Sequence, residues 1–318
     1  MKKPLIILTG PTAVGKTKLS ISLAKAVNGA IISADSMQVY RHMDIGSAKI
    51  RPEEMCGVPH YLIDVLDPSE EFHVVKFVEL AHEAMEKIYA AGQIPIVTGG
   101  TGFYIQALLK EVDFTESHGE LPIRKQLEEK AATEEGAAEL YRELSEVDPA
   151  SAETIHPNNV KRVIRALEYY HETGQKISEH NEEQKQKESP YCSAYFVLND
   201  ERSILYDRID RRVDQMICDG LVDEVFRLKE MGYTRDLVSM QGLGYKELFP
   251  YLAGECTLEE AVYIIKRDTR HFAKRQLTWF RREKDVIWLN KPDFDYDEEK
   301  ILSYMLAVSY THLTLPTT

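Results

Sequence analysis

The segment Gly10, Pro11, Thr12, Ala13, Val14, Gly15, Lys16, Thr17 lies between an apolar run at residues 5–8 and a stretch at 18–27 whose Leu19, Leu23, Ala26 and Val27 recur at helical spacing. A strand, a glycine turn and a helix in immediate succession admit few folds. The strand reads as a buried parallel one, and the turn presents a row of backbone N–H groups to an anion at the start of the helix. Gly10 and Gly15 let the backbone curl around two adjacent phosphoryl groups, Lys16 supplies a point charge, and the Thr17 hydroxyl is placed to reach Mg²⁺. The spacing therefore predicts a ligand carrying at least a diphosphate. A chance match in a glycine-containing turn is the competing reading, and the flanking strand and helix argue against it.

The residues that follow alternate between short apolar runs and helical patterns, which predicts an α/β fold: a parallel sheet of the P-loop NTPase type with crossover helices. Strands are expected at 30–34, ending at Asp35, at 61–65 and at 94–98, with a helix over 77–89. The last of these strands opens into Gly99, Gly100, Thr101 and Gly102, ahead of a helix at 103–109. Ligands of such sheets collect beyond the carboxyl ends of the strands, so the glycine loop, Asp35 and Thr101 should lie close together. Near residue 115 the pattern turns polar and helical, notably over 121–144 and 159–172. This divides the chain into a core at 1–114, an inserted helical domain at 115–190 and a return to the core at 191–307. Within these, 176–189 reads as a linker or exposed hinge, 194–198 as a strand, and 207–229 as one long helix with Ile209, Val213, Met216 and Ile217 on a face. A helix at 258–282 and a short strand at 286–289 complete the core. Residues 308–318 carry no Asp, Glu, Lys or Arg and break the helical pattern of 298–306, so they read as a non-native tail.

No apolar run approaches the ~20 residues of a membrane span. Cys56, Cys192, Cys218 and Cys256 lack Cys-x-x-Cys spacing, and the first residues run directly into a strand without a signal segment, so a reducing cytoplasm is expected. A net charge of −13 is unfavourable for a polyanion partner, yet it conceals an asymmetry. Lys266, Arg267, Arg270, Lys274, Arg275, Arg281, Arg282 and Lys284 crowd one stretch, and Lys161, Arg162 and Arg165 another. One such strip is ordinarily a solvated helix face; two in an acidic chain favour a polyanion.

Asp35 projects from a strand end, where it either holds Mg²⁺ from the outer shell, acts as a general base, or caps the next turn. Thr101 either orients a nucleophile or caps a helix. Taken together, residues 10–17, the run Asp35, Ser36, Met37, Gln38, Val39, Tyr40, the Gly-rich turn with Tyr104, residues 162–174 and residues 273–281 resemble the bacterial type of tRNA dimethylallyltransferase, without the zinc finger of eukaryotic relatives. The likeness runs in order from Pro4 to about Leu289.

That resemblance implies transfer of a dimethylallyl group from dimethylallyl diphosphate to N6 of the adenosine just 3′ of the anticodon, position 37, with release of diphosphate. It implies that residues 10–17 hold the isoprenoid diphosphate, with Mg²⁺ near Thr17, and that Asp35, Thr101 and Arg212 are catalytic. It also assigns a tRNA surface: Asp35, Ser36, Met37, Gln38 and Thr101, then Arg124, Lys161, Arg162, Val163, Ile164 and Arg165. The surface continues with Gln241, Gly244, Tyr245 and Lys246, and ends with Lys274, Arg275, Gln276, Thr278 and Trp279. The partners expected are the tRNA anticodon stem-loop and dimethylallyl diphosphate, with no membrane and a monomeric chain. An isopentenyltransferase acting on free adenine nucleotides, an ATP-using kinase and a nucleotide-switched RNA-binding module stay open as alternatives.

Overall fold

The computed structural model describes residues 2–112 and 122–313, and the expected boundary at 115, Leu121 and residues 314–318 fall outside them. Six strands, β1 (Lys3–Thr9), β2 (Gly29–Ala34), β3 (His60–Tyr61), β4 (Ile94–Gly99), β5 (Tyr191–Asn199) and β6 (Ile287–Asn290), form one sheet in the order β3-β2-β4-β1-β5-β6. Every pairing is parallel, as the alternating sequence pattern predicts. Thr9 pairs with Gly99 and Val197, Ala34 with Gly99, and Asn199 with Asn290, so β1, β2 and β4 end level and β5 and β6 run two residues further in the same direction. Gly10, Asp35, Gly100, Asp200 and Lys291 therefore all emerge at one edge of the sheet.

Strand β1 is buried on both faces, which explains its unbroken apolar run. Leu5 and Ile7 join Ile32, Val97 and Val197 in one core, against α2 (Val74–Ala90) and α3 (Gly102–Lys110). Ile6 and Leu8 join Ile31, Ile96 and Phe196 in the other, against Leu19 and Leu23 of α1 (Lys16–Ala26).

A second compact unit, Lys110–Ser189, has its own core of Leu127, Leu140, Leu144, Val163, Ile164 and Leu167. The expected helical stretch at 121–144 is two helices, α4 (Pro122–Lys130) and α5 (Glu134–Val147), because Thr133 starts afresh by accepting the Gly136 N–H at 3.1 Å. Next come α6 (Pro149–Thr154) and α7 (Val160–Thr173). The expected linker at 176–189 is instead α8 (Ile177–Gln186). Its unbranched Glu, Gln and Lys side chains are good helix formers, and Ser178 anchors it through two hydrogen bonds to the buried Asp148 carboxylate, at 3.0 and 2.6 Å.

Three further expectations change. The strand placed at 61–65 stops after Tyr61, because Leu62 and Asp64 take positive φ of 62° and 56°. The single helix at 207–229 is α9 (Arg202–Cys218) followed by α10 (Leu221–Glu230), broken at Gly220 with φ +99°. After α11 (Leu248–Leu252) and α12 (Leu258–Phe280), helix α13 (Glu298–Leu313) runs through residue 308 without a break, with Ser309 fully buried. No helix among the described residues is long and apolar enough to cross a membrane.

Glu224 of α10, 2% exposed, holds a wall of the sheet-edge cleft in place. Its carboxylate accepts the N–H groups of Asp44, Ile45 and Gly46 at 3.0, 2.8 and 3.1 Å and the Tyr245 hydroxyl at 2.7 Å. Replacing it by Gln turns a donor toward this row of donors. Glu224→Gln is expected to lower unfolding free energy by about 2–3 kcal/mol in urea titrations.

Candidate active site

Gly10 begins the phosphate loop in a conformation that only glycine tolerates. Its φ is +145°, and a Cβ there would stand 2.2 Å from the Leu198 carbonyl oxygen of β5. The loop is thus clamped to the neighbouring strand before it turns. Lys16 folds back over the loop, its ammonium donating to the carbonyls of Gly10 and Pro11 at 2.9 and 2.8 Å. Burial pushes that ammonium down to about 7; the Asp35 carboxylate opposes the shift and the Arg212 guanidinium adds to it. Arg212, on α9, is likewise depressed by burial and supported by Asp35. Lys16 and Asp35, and Arg212 which the resemblance implies, therefore share one electrostatic site.

Asp35 performs its capping role with one oxygen only. Oδ1 accepts the N–H groups of Met37 at 2.8 Å and Gln38 at 3.4 Å, and Oδ2 has no hydrogen bond among the described residues. Thr101 uses its carbonyl, which accepts the Tyr104 N–H at 3.0 Å, to start α3, leaving the hydroxyl without a partner among the described residues. In both residues the backbone-facing atom fixes the conformation and the other polar atom is available to a ligand.

These groups line a cleft with two chambers. The inner one, about 430 Å³, is bounded by Thr12, Lys16, Thr17, Arg208 and Arg212. The outer, about 420 Å³, has apolar walls from Tyr40, Phe72, Tyr104, Val213 and Phe272 and is rimmed by Gln241, Lys246 and Arg275. Asp35, Thr12, Gly100, Arg212 and Gln276 border both chambers. A diphosphate at the inner end and a flat, partly apolar group at the outer end would meet beside the Asp35 carboxylate. Among the described residues no cluster of His, Cys, Asp and Glu could hold a metal alone, so a cation at Thr17 would depend on ligand oxygens.

Comparison with known proteins gives the family of the chain. The IPP transferase family model matches residues 38–283 and the isopentenyl transferase model matches residues 3–71. The chain belongs to the IPP transferase family. A curated relative, the tRNA dimethylallyltransferase of Lachnoclostridium phytofermentans, is 65% identical over 306 residues, 96% of this chain and 97% of the relative. The crystal structure of the full-length tRNA isopentenylpyrophosphate transferase of Bacillus halodurans is 45% identical, with TM-score 0.73 and 99% of each chain covered. A eukaryotic dimethylallyltransferase captured in crystals acting on tRNA is 34% identical, with TM-score 0.84, covering 98% of this chain and 80% of that one.

Within this IPP transferase the expected tRNA residues fall into distinct groups. Lys274, Arg275 and Thr278 are exposed on α12, and Lys274 and Arg275 make no ion pair among the described residues. Lys266 and Arg270 of the same strip are committed elsewhere, paired to Asp214 and Asp210 of α9 at 2.6 and 2.5 Å. Lys161 and Arg162 are exposed, whereas Arg124 and Arg165 both pair with Glu168, whose side chain is fully buried. Ser36, Met37, Gln241, Gly244 and Lys246 border the outer chamber. Several assigned side chains do not face outward. Val163 and Ile164 belong to the core of the helical unit, and the Tyr245 hydroxyl is spent on Glu224. Gln276 is another. Trp279 packs edge-on against Phe103 with ring centroids 6.1 Å apart, filling the space that Gly102 leaves. Gln38 turns its amide inward, toward the Ser47 and Ala48 carbonyls.

The family resemblance assigns Gln276 to the nucleic-acid surface; the structure makes it a staple. Its side chain, 6% exposed, accepts the Thr12 N–H at 2.9 Å and donates to the Gly100 carbonyl at 3.0 Å. It joins the phosphate loop to the turn that carries Thr101. Arg208 was also missed, since one more Arg on an amphipathic helix gives no signal until the helix is docked. Gln276→Leu removes both bonds while filling the space. It is expected to cost about 1–3 kcal/mol in denaturant unfolding and to weaken inorganic pyrophosphate binding, measured by calorimetry.

Proposed function

We propose that this chain transfers a dimethylallyl group from dimethylallyl diphosphate to N6 of the adenosine at position 37, adjacent to the anticodon, in tRNA. The observation that carries the reading is the wall shared by the two chambers. Asp35 borders both chambers, which supports a reaction beside its carboxylate between an amine held in the outer chamber and an allylic carbon attached to a diphosphate held in the inner one. Family membership and the 65% identical tRNA dimethylallyltransferase support the same reaction.

An exocyclic adenine amine is a weak nucleophile, because its lone pair is shared with the ring. In this scheme its nitrogen attacks C1 of the isoprenoid, the C1–O bond breaks, and the bonding electrons leave with diphosphate. Asp35 takes the N6 proton through the oxygen that caps nothing, and the Thr101 hydroxyl orients the amine. Lys16 and Arg212 meet the charge that grows on the leaving group. The Thr17 hydroxyl and the diphosphate oxygens fit Mg²⁺, which when bound supplies further neutralisation of that charge. The apolar outer walls exclude water, which would otherwise capture the allylic carbon. The base must leave its stack to enter, at a cost of a few kcal/mol that phosphate contacts from Lys274 and Arg275 offset.

Incubation with dimethylallyl diphosphate, Mg²⁺ and unmodified tRNA should yield a prenylated adenosine by mass spectrometry of the digested RNA, and AMP should not replace tRNA as acceptor. Consumption of ATP as the reactant would overturn the assignment. Asp35→Ala should reduce turnover by about 10²–10⁴-fold while leaving tRNA affinity within a few-fold, by single-turnover kinetics and filter binding. Lys274→Ala should lower the slope of log affinity against log salt by about one, with isoprenoid affinity unchanged.

A further inference from the structure

We infer that the inner chamber continues past Asp35 into a subsite for the tail of the isoprenoid, where His60 presents Nε2 as the acceptor for a hydroxyl group on that tail. A five-carbon allylic diphosphate hydroxylated at its far end is then a second donor for the enzyme. The inference rests on the diphosphate reading given above and concerns the end of the donor remote from the phosphoryl groups. Strand order sets the direction of the chamber. From β1, which leads into the phosphate loop, the sheet passes through β4 and β2 to β3. Three strand spacings of about 4.8 Å separate β1 from β3, roughly 14 Å in all. Asp35 follows β2 directly, and His60 on β3 pairs with Ile31 of β2. A donor with its phosphoryl groups on the loop and C1 beside Asp35 therefore sends its tail toward β3. The chamber turns apolar in that direction, where Ile31, Ile50 and Ile63 line it together with His60. These isoleucines pack with the core on the α1 side, whereas the outer chamber takes Tyr40, Phe72 and Tyr104 from the other core.

The hydroxyl groups bordering this part of the chamber are spent on the protein. Ser33 donates to the Gln38 side-chain oxygen at 3.4 Å, and Thr98 to the Leu8 carbonyl at 2.8 Å. Ser47 donates to the Met43 carbonyl. His60 is half-buried, and its Nδ1 lies 2.8 Å from the Val58 carbonyl. A carbonyl can only accept, so Nδ1 carries the proton and donates it, which leaves Nε2 with a lone pair. Burial holds the imidazole below the usual histidine range, against the opposing effect of the Val58 hydrogen bond, so the ring is neutral at pH 7. Nε2 has no hydrogen-bond partner among the described residues, and it is not one of the nitrogen and oxygen atoms buried without a partner, so it opens on space that a ligand can reach. A methyl group gives this nitrogen nothing to accept; a hydroxyl supplies the proton. The chemistry at the other end is the same for both donors. N6 attacks C1, the C1–O bond breaks, its electrons leave with diphosphate, Asp35 takes the N6 proton, and the hydroxyl passes unaltered into the product.

The test supplies the full chain with unmodified tRNA, Mg²⁺ and either dimethylallyl diphosphate or its derivative hydroxylated on one terminal methyl group. Mass spectrometry of the digested RNA gives kcat/KM for each donor. The hydroxylated donor should yield a prenylated adenosine heavier by one oxygen atom, with kcat/KM no less than about a tenth of that for dimethylallyl diphosphate. His60→Leu should lower the ratio of hydroxylated to unsubstituted kcat/KM by about tenfold, and His60→Gln, which keeps a carbonyl acceptor, should recover part of that loss. His60→Phe carries the same readout if the leucine variant fails to fold. Transfer from dimethylallyl diphosphate alone, or a ratio that removing the imidazole leaves unchanged, would overturn the inference and spare the reaction. Transfer from neither donor would overturn the reaction reading, and this inference with it.

Discussion

The parallel register is the constraint on which the site depends. Because Thr9, Ala34 and Gly99 end their strands level with one another, and β5 and β6 run two residues further to end together at Asn199 and Asn290, five loops distant in sequence open at one edge. A parallel sheet buried on both faces cannot slip by one residue without exchanging its two cores, since Leu5 and Ile7 pack on one side and Ile6 and Leu8 on the other. Hydrophobic burial therefore fixes the position of Gly10 against Leu198, and with it the phosphate loop. Gln276 then ties that loop to Gly100, so the walls shared by the two chambers of the cleft are positioned as a unit.

Charge is distributed by the same logic. Cations that hold helices together have partners: Lys266 and Arg270 pair with acids of α9, and Arg124 and Arg165 with Glu168. Among the described residues, Lys274 and Arg275 on the exposed face of α12 make no ion pair, and the Arg275 guanidinium lies over the Phe272 ring, 5.7 Å from its centroid. Net charge alone does not set the response to a polyanion, since local groups of cations such as those on α12 act within about a Debye length.

Much of this was legible before folding. The phosphate loop carries its own signature, since strand, glycine turn and helix are contiguous, and the alternating pattern that follows predicts the parallel sheet. Local signals misled where tertiary contacts override them. The polar run at 176–189 lacks a core-facing stripe, yet it is helical because Asp148, thirty residues earlier, anchors Ser178. The helical pattern over 207–229 ignores the one backbone position, Gly220, that takes a left-handed conformation. Basic residues of a strip look alike in sequence, and only docked helices separate the paired from the free.

By itself the sequence determined the fold class, the phosphate loop and the candidacy of Asp35, because each is a local pattern whose chemistry is complete within a few residues. Tertiary structure alone decided that Gln276 is a staple and that Tyr245 and Val163 are interior. Those roles depend on contacts across most of the chain, and a side chain's burial and its partner are properties of the packed elements, which no local spacing encodes.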